Sequence, residues 1–170
     1  MRHSLPATCC LRAATLLVAL TACAHAPRVE PGGGAVPARR VINPSGLTPL
    51  VPAYSVAIRD GELVFVSGMT GVKPGTQDII EGGVAVQTRQ ALENIRAALQ
   101  AAGATMADVG ECTVFLMDMA DYAAMNRVYV EFFPVDPPAR ATLAVSALPR
   151  PAARVEIKCS AVVRRGREGR

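Results

Sequence analysis

The sequence predicts an α+β sandwich in which two helices lie on one face of a mixed sheet, in the order β-β-α-β-α-β-β. Two observations carry that prediction. Apolar residues recur at spacings of three and four over 84–102 and again over 121–133, the period of a helix with one buried face. Short runs rich in Val, Ile and Phe, bounded by Gly, Pro and Asp, fall around them at 54–59, 62–68, 109–116, 141–147 and 155–163. A third observation fixes the scale. The chain has 170 residues, the length of one domain, and 51% hydrophobic against 19% charged residues is enough to fold around a core.

Each element has its own justification. YSVAIR and ELVFVSG flank Asp60-Gly61, the type I′ dipeptide whose positive φ angles match strand twist, so a hairpin is expected there. A Gly- and Pro-rich loop over 69–83 leads into the first helix, where Leu92, Ile95, Leu99 and Ala102 form the apolar stripe and Gly103 ends it. Thr105 and Asp108 fit a short capped turn ahead of the strand VGECTVFL. The second helix carries Tyr122, Met125, Tyr129 and Phe132 on one stripe, expected to be core, and Pro134 stops it. Two closing strands follow, separated by a turn over 149–153. Two helices cover one sheet face only, so the other is expected to pack against further copies of the chain, with clefts between subunits.

The amino terminus reads as an address. Arg2 and Arg12 precede an apolar run over 13–22, about ten residues, matching a signal-peptide core and short of the roughly 20 a spanning helix needs. Residues 1–22 are therefore expected to be a signal peptide. Leu20-Thr21-Ala22-Cys23 looks like a bacterial lipobox, which places a lipid anchor on Cys23, and Ala24 after it resembles the outer-membrane rather than inner-membrane sorting pattern. Residues 23–40, AHAPRVEPGGGAVPARR after the cysteine, form an expected flexible tether.

Charge and histidine usage exclude several activities. The net charge of +4 sits at the ends, in Arg2, Arg12, Arg39, Arg40 and a basic tail over 164–170, and loss of the signal's two arginines lowers it to +2. With no basic stripe inside 41–163, no Trp and 4% aromatics, nucleic acid is not the expected partner. The two histidines, His3 and His25, both precede the domain, so Ser-His-Asp and Cys-His catalysis and the common zinc ligand sets are unavailable to it. Of five cysteines, Cys112 and Cys159 stay in the domain; one bridge is permitted, but buried free thiols are the favoured reading.

Four polar residues interrupt apolar strands or their approaches: Tyr54, Ser67, Arg140 and Glu156. Arg140 with Glu156 reads either as a structural salt bridge or as part of a site. Ser67 reads as a strand terminus or a ligand contact, and Tyr54 as a wet-edged core aromatic or a hydrogen-bonding group.

Pro138-Ala139-Arg140-Ala141-Thr142-Leu143, then Leu148 and Val155-Glu156-Ile157, resemble the signature of the RidA (YjgF-type) reactive-intermediate deaminases. Pro52-Ala53-Tyr54-Ser55, Phe65-Val66-Ser67-Gly68, Gln90-Ala91-Leu92-Glu93-Asn94-Ile95, Ala101-Ala102-Gly103, and Asn126 with Tyr129 and Phe132-Phe133 match as well, so the resemblance spans 41–163. It implies a homotrimer of the bacillus chorismate mutase-like fold with sites between subunits, hydrolysing enamine and imine acids to 2-keto acids and ammonia without a cofactor or metal. It further implies that Arg140 grips the substrate carboxylate with a guanidinium fork and that Glu156 activates water. Tyr54 and Ser67 would bind substrate or water, with Ser67 relaying a proton. Thr142 stands where a cysteine is common, and only a backbone contact of that position would persist.

Other departures are Met69, Pro137, Lys158 and the Pro-Ala before Tyr54, which together suggest a substrate other than the smallest enamines. The first expectation is thus an exported, lipid-anchored deaminase facing the periplasm. The alternative is a non-catalytic trimeric module that binds a metabolite or acts as a chaperone in the cell envelope. RNA cleavage, reported for some relatives, ranks last on charge grounds.

Overall fold

The computed structural model describes residues 38–163, within the second of the two units, Met1–Gly34 and Ala35–Arg170, into which the chain divides. The expected signal peptide, the lipidation site Cys23, nearly all of the tether and the basic tail lie outside the described residues. Those residues hold β1 (Arg40–Ile42), β2 (Ala57–Asp60), β3 (Leu63–Thr70), α1 (Val84–Ala101), β4 (Val109–Leu116), α2 (Tyr122–Phe132), β5 (Ala139–Ala144) and β6 (Val155–Val162). None of these helices is long and apolar enough to cross a membrane.

The strands form one mixed sheet in the order β1-β2-β3-β6-β4-β5, antiparallel throughout except for the parallel pair β4 and β5. Parallel neighbours need a crossover, and α2 supplies it. β3 and β4 also run parallel, connected through α1, and the last strand β6 inserts between them. The α+β sandwich with two helices on one face is therefore present, with one strand more than expected. β1 pairs Arg40 with Arg59 and Ile42 with Ala57. It spans three residues, too few to carry a readable period, and begins at the last residue assigned to the tether.

Side-chain alternation explains the core. Val64, Val66, Val114, Leu116, Val155 and Ile157 point from the sheet to the helix side, where they meet Ala91, Leu92, Ile95, Ala98 and Leu99 of α1 and Met125, Tyr129 and Phe132 of α2. Each large apolar side chain so buried contributes about 1.5–3 kcal/mol. Thr105 and Asp108 form the expected capping box. At the end of α1, Gly103 takes φ +78, and the Arg59 guanidinium donates to the Ala102 carbonyl at 2.7 Å, placing a cation at the negative end of the helix.

Four expectations are corrected. In the hairpin, Asp60 pairs with Leu63, so Gly61 and Glu62 form the turn, not Asp60 and Gly61. Only the first of them, Gly61 at φ +59, has positive φ, which is the II′ rather than the I′ pattern. Tyr54 lies in a turn before β2 rather than in a strand. Tyr122, expected in the core, is 38% exposed because it is the first residue of α2, beyond the sheet's buried rows. Cys112 and Cys159 are not free thiols but a disulfide. They are direct cross-strand partners in β4 and β6, 4.1 Å apart at Cα, a juxtaposition that their separation of 47 residues concealed.

The other sheet face carries no helix among the described residues. Val41, Leu63, Phe65, Leu143 and Val162 stand exposed on it, with Glu156, Lys158 and Ser160 of β6 between Leu143 and the rest, and exposed apolar groups of this kind mark an interaction site.

Candidate active site

An irregularity in the sheet builds the site. β3 and β6 pair regularly from Leu63 with Val162 to Val66 with Cys159, and pairing resumes at Met69 with Ile157. Ser67 and Gly68 therefore both oppose Lys158, a bulge that breaks the ladder and re-aims side chains. The Ser67 N–H donates to the Val56 carbonyl at 3.0 Å, and its hydroxyl donates to the Ser55 carbonyl at 2.7 Å. With its proton so engaged, Ser67 Oγ presents lone pairs outward. A Cβ built on Gly68 would overlap the Glu156 carboxylate, so the carboxylate reaches its position only because residue 68 lacks a side chain.

Glu156 lies half-buried on the uncovered face, where burial pushes its pKa above the ordinary carboxylate value. No hydrogen-bond or ion-pair partner holds its carboxylate among the described residues. Beside it, the Tyr54 hydroxyl accepts the Leu50 N–H at 2.8 Å, which leaves its own proton free to donate. Tyr54, Ser67, Gly68 and Glu156 share one cleft of about 400 Å³ with Leu50, Val51, Thr70 and Arg150, a size within the range of small-molecule sites. A carboxylate of raised pKa, a phenol donor and a hydroxyl acceptor facing one cleft can together bind and activate a water molecule.

Arg140 is not in this cleft. It sits on the edge strand β5 opposite Cys112, hence on the helix side of the sheet, while Glu156 is on the other side of a strand two places away. Its guanidinium donates to the Tyr122 hydroxyl at 3.0 Å and lies 4.5 Å from the centre of the Tyr129 ring. Burial pushes the Tyr129 phenol up to about 12, against the opposing pull of Arg140, so the ring stays neutral under the cation. The structural salt bridge between Arg140 and Glu156 does not form. Thr142 follows two residues along β5 on the same side. One chain thus assembles Tyr54, Ser67 and Glu156 and leaves Arg140 and Thr142 elsewhere.

Sequence reasoning missed the rest of the cleft. Arg150, in a turn whose backbone Pro149 and Pro151 restrict, lines the cleft. Gln87 and Asn94 of α1, buried on the helix, clamp two loops: Gln87 holds the Ala152 carbonyl and the Arg154 N–H at 3.1 and 2.7 Å, and Asn94 donates to the Thr70 and Val72 carbonyls at 3.2 and 2.9 Å. Groups of three or more His, Cys, Asp or Glu side chains suited to a metal do not occur among the described residues.

The family model described as Endoribonuclease L-PSP matches residues 47–163. Protein DfrA of Myxococcus xanthus is 39% identical over 127 residues, 74% of this chain and 96% of that protein. The 2-iminobutanoate/2-iminopropanoate deaminase of Rattus norvegicus is 38% identical over 124 residues, 73% of this chain and 90% of that one. Among solved structures, E. coli TdcF with bound serine superposes with a TM-score of 0.69 at 33% identity, covering 74% of this chain and 99% of that one.

Proposed function

Because the chain belongs to the RidA/YjgF family, whose Endoribonuclease L-PSP model spans its domain, we propose that it is a deaminase hydrolysing enamine and imine acids to 2-keto acids and ammonia. The observation that carries this reading is the gathering in one cleft of Tyr54, Ser67 and a half-buried Glu156 that has no partner among the described residues, formed around the side-chain-free Gly68. Relatives named as imine deaminases and a relative holding serine support a small amino-acid-like substrate.

In this mechanism the carboxylate of the substrate lies on the Arg140 fork, with Thr142 beside it. An enamine first moves one N–H proton to its β-carbon, relayed through Ser67, whose hydroxyl releases the Ser55 carbonyl as it does so, and becomes the imine. Ionised Glu156 takes a proton from water as the oxygen bonds to the imine carbon and passes it to the nitrogen, which Tyr54 hydrogen-bonds, giving the carbinolamine. Glu156 then carries the remaining hydroxyl proton to the nitrogen as the C–N bond breaks, so that one water is consumed and one ammonia leaves. No electron is gained or lost.

Arg140 and Glu156 cannot meet within one chain, so the site is completed across a subunit boundary, with Arg140 from one copy facing the cleft of the next. The exposed apolar sheet face supplies the surface for a homotrimer. Export with lipidation at Cys23, to the outer membrane facing the periplasm, accords with the Cys112–Cys159 disulfide, a bond that persists in oxidising compartments.

The test is keto-acid formation, above the spontaneous rate, from imines generated in place by an amino-acid oxidase. Arg140→Lys keeps the charge and loses the two-pronged geometry, so turnover of carboxylate-bearing imines should fall steeply while the assembly persists. A wild-type protein inactive on a broad imine panel would defeat the deaminase reading in favour of a binding module.

A further inference from the structure

Arg150 borders the same cleft as Glu156 and a smaller recess adjoining it, and the mechanism above gives it no task. Its position is fixed from both sides. The Ala153 N–H donates to the Arg150 carbonyl at 2.9 Å and closes its turn, and Gln87 of α1 pins the two residues that follow through Ala152 and Arg154. The guanidinium itself donates through both terminal nitrogens to Gln77, once to its carbonyl and once to its side-chain oxygen. Those bonds use two of five N–H donors and no negative charge, since Arg150 has no ion pair among the described residues. Nor is its charge spent on Glu156, whose pKa is raised by burial with no cation offsetting the rise. The wall beside it is apolar: Leu50 and Val51 are 39% and 48% exposed.

From this arrangement we propose that the substrates of the cleft are imine and enamine acids bearing a second carboxylate on a short methylene stem. The inference rests on the deaminase reading, in which Arg140 takes the carboxylate next to the reacting carbon and Glu156 the water. What remains of the cleft's lining is chiefly apolar, with Leu50 and Val51, and includes Arg150, which spends only two of its donors on Gln77. Methylenes fit the wall, and a terminal carboxylate fits the guanidinium, where a charge-assisted hydrogen bond replaces water. A side-chain ammonium would be repelled.

The experiment compares imines generated from glutamate and from an uncharged amino acid of equal length. The kcat/KM ratio should favour the dicarboxylic imine by about tenfold to a hundredfold, the worth of hydrogen bonds to a charged group. Arg150→Gln should collapse that ratio, and Arg150→Lys should restore part of it. A wild-type ratio near one, or a ratio unchanged by Arg150→Gln, overturns the proposal. So does an equal loss on both substrates, which would make Arg150 the holder of the first carboxylate. Calorimetric binding of 2-oxoglutarate against 2-oxopentanoate needs no turnover and separates this proposal from the deaminase reading. If no imine is hydrolysed, the deaminase reading fails, yet tighter 2-oxoglutarate binding that Arg150→Gln removes still upholds the second carboxylate site; equal binding of both acids overturns it.

Discussion

A carboxylate stripped of part of its water and given no cation is held uncomfortably, and Glu156 is in that position. Its folded pKa lies above its unfolded one, so between the two the native state binds more protons and stability falls as pH rises. The penalty is absent below the ordinary value of 4.5 and present in full above the folded value. Glu156→Gln is therefore expected to leave the melting temperature equal or higher at pH 7, with the gain vanishing in acid, while hydrolysis slows because an amide cannot take a proton from water. Thermal melts and initial rates across pH check this, and a large loss of stability at pH 7 would point to a structural partner instead. The acid limb of kcat/KM in the wild type should lie above the ordinary carboxylate range. Gly68→Ala makes the complementary case: the added methyl displaces the carboxylate, so activity should fall at least as far as with Glu156→Gln, measured on protein whose circular dichroism is native. At this scale the sequence pointed to Tyr54, Ser67 and Glu156, which the structure gathers in one cleft, since polar groups in or beside apolar strands are conspicuous. It did not reveal Arg150, whose role depends on which loop faces the cleft.

The helices and strands were legible in proportion to their length. α1 and α2 each run for three turns or more, and their apolar stripes are repeated often enough to be read; β1, three residues long, has no period. The hairpin was legible as a hairpin, but its register by one residue was not, because Asp60-Gly61 and Gly61-Glu62 both place a glycine where positive φ is needed. The pairing of Cys112 with Cys159 depends on β6 inserting between β3 and β4, a topological fact with no local signature. That bond closes a loop of 47 residues, and the chain-entropy account gives it roughly 4 kcal/mol of stability. Thiol titration of the unreduced, unfolded protein should find these two cysteines blocked, and the Cys112→Ala/Cys159→Ala variant should unfold at a markedly lower denaturant concentration. Two titratable thiols would contradict the bridge.

For the molecule as a whole, the decisive fact is that the cleft and Arg140 lie on opposite sides of one sheet. The apolar face predicts self-association, and the lipobox-like Leu20-Thr21-Ala22-Cys23 predicts a membrane anchor outside the described residues. Replacing Cys23 by Ser should release the protein from the membrane fraction into the aqueous phase of a detergent partition; a variant still membrane-bound would refute lipidation at that residue. Light scattering should give three times the subunit mass, and a stable monomer would refute the shared site. The most direct measurement mixes two variants that are inactive alone, Arg140→Met and Glu156→Gln, after reversible dissociation and reassembly. If each site takes Arg140 from one copy and Glu156 from its neighbour, random mixing in equal amounts rebuilds intact sites at one boundary in four, and activity should return to about a quarter of the wild type. If both residues serve one site within a single chain, no mixture contains an intact site, and activity that stays at the level of the separate variants would contradict the account.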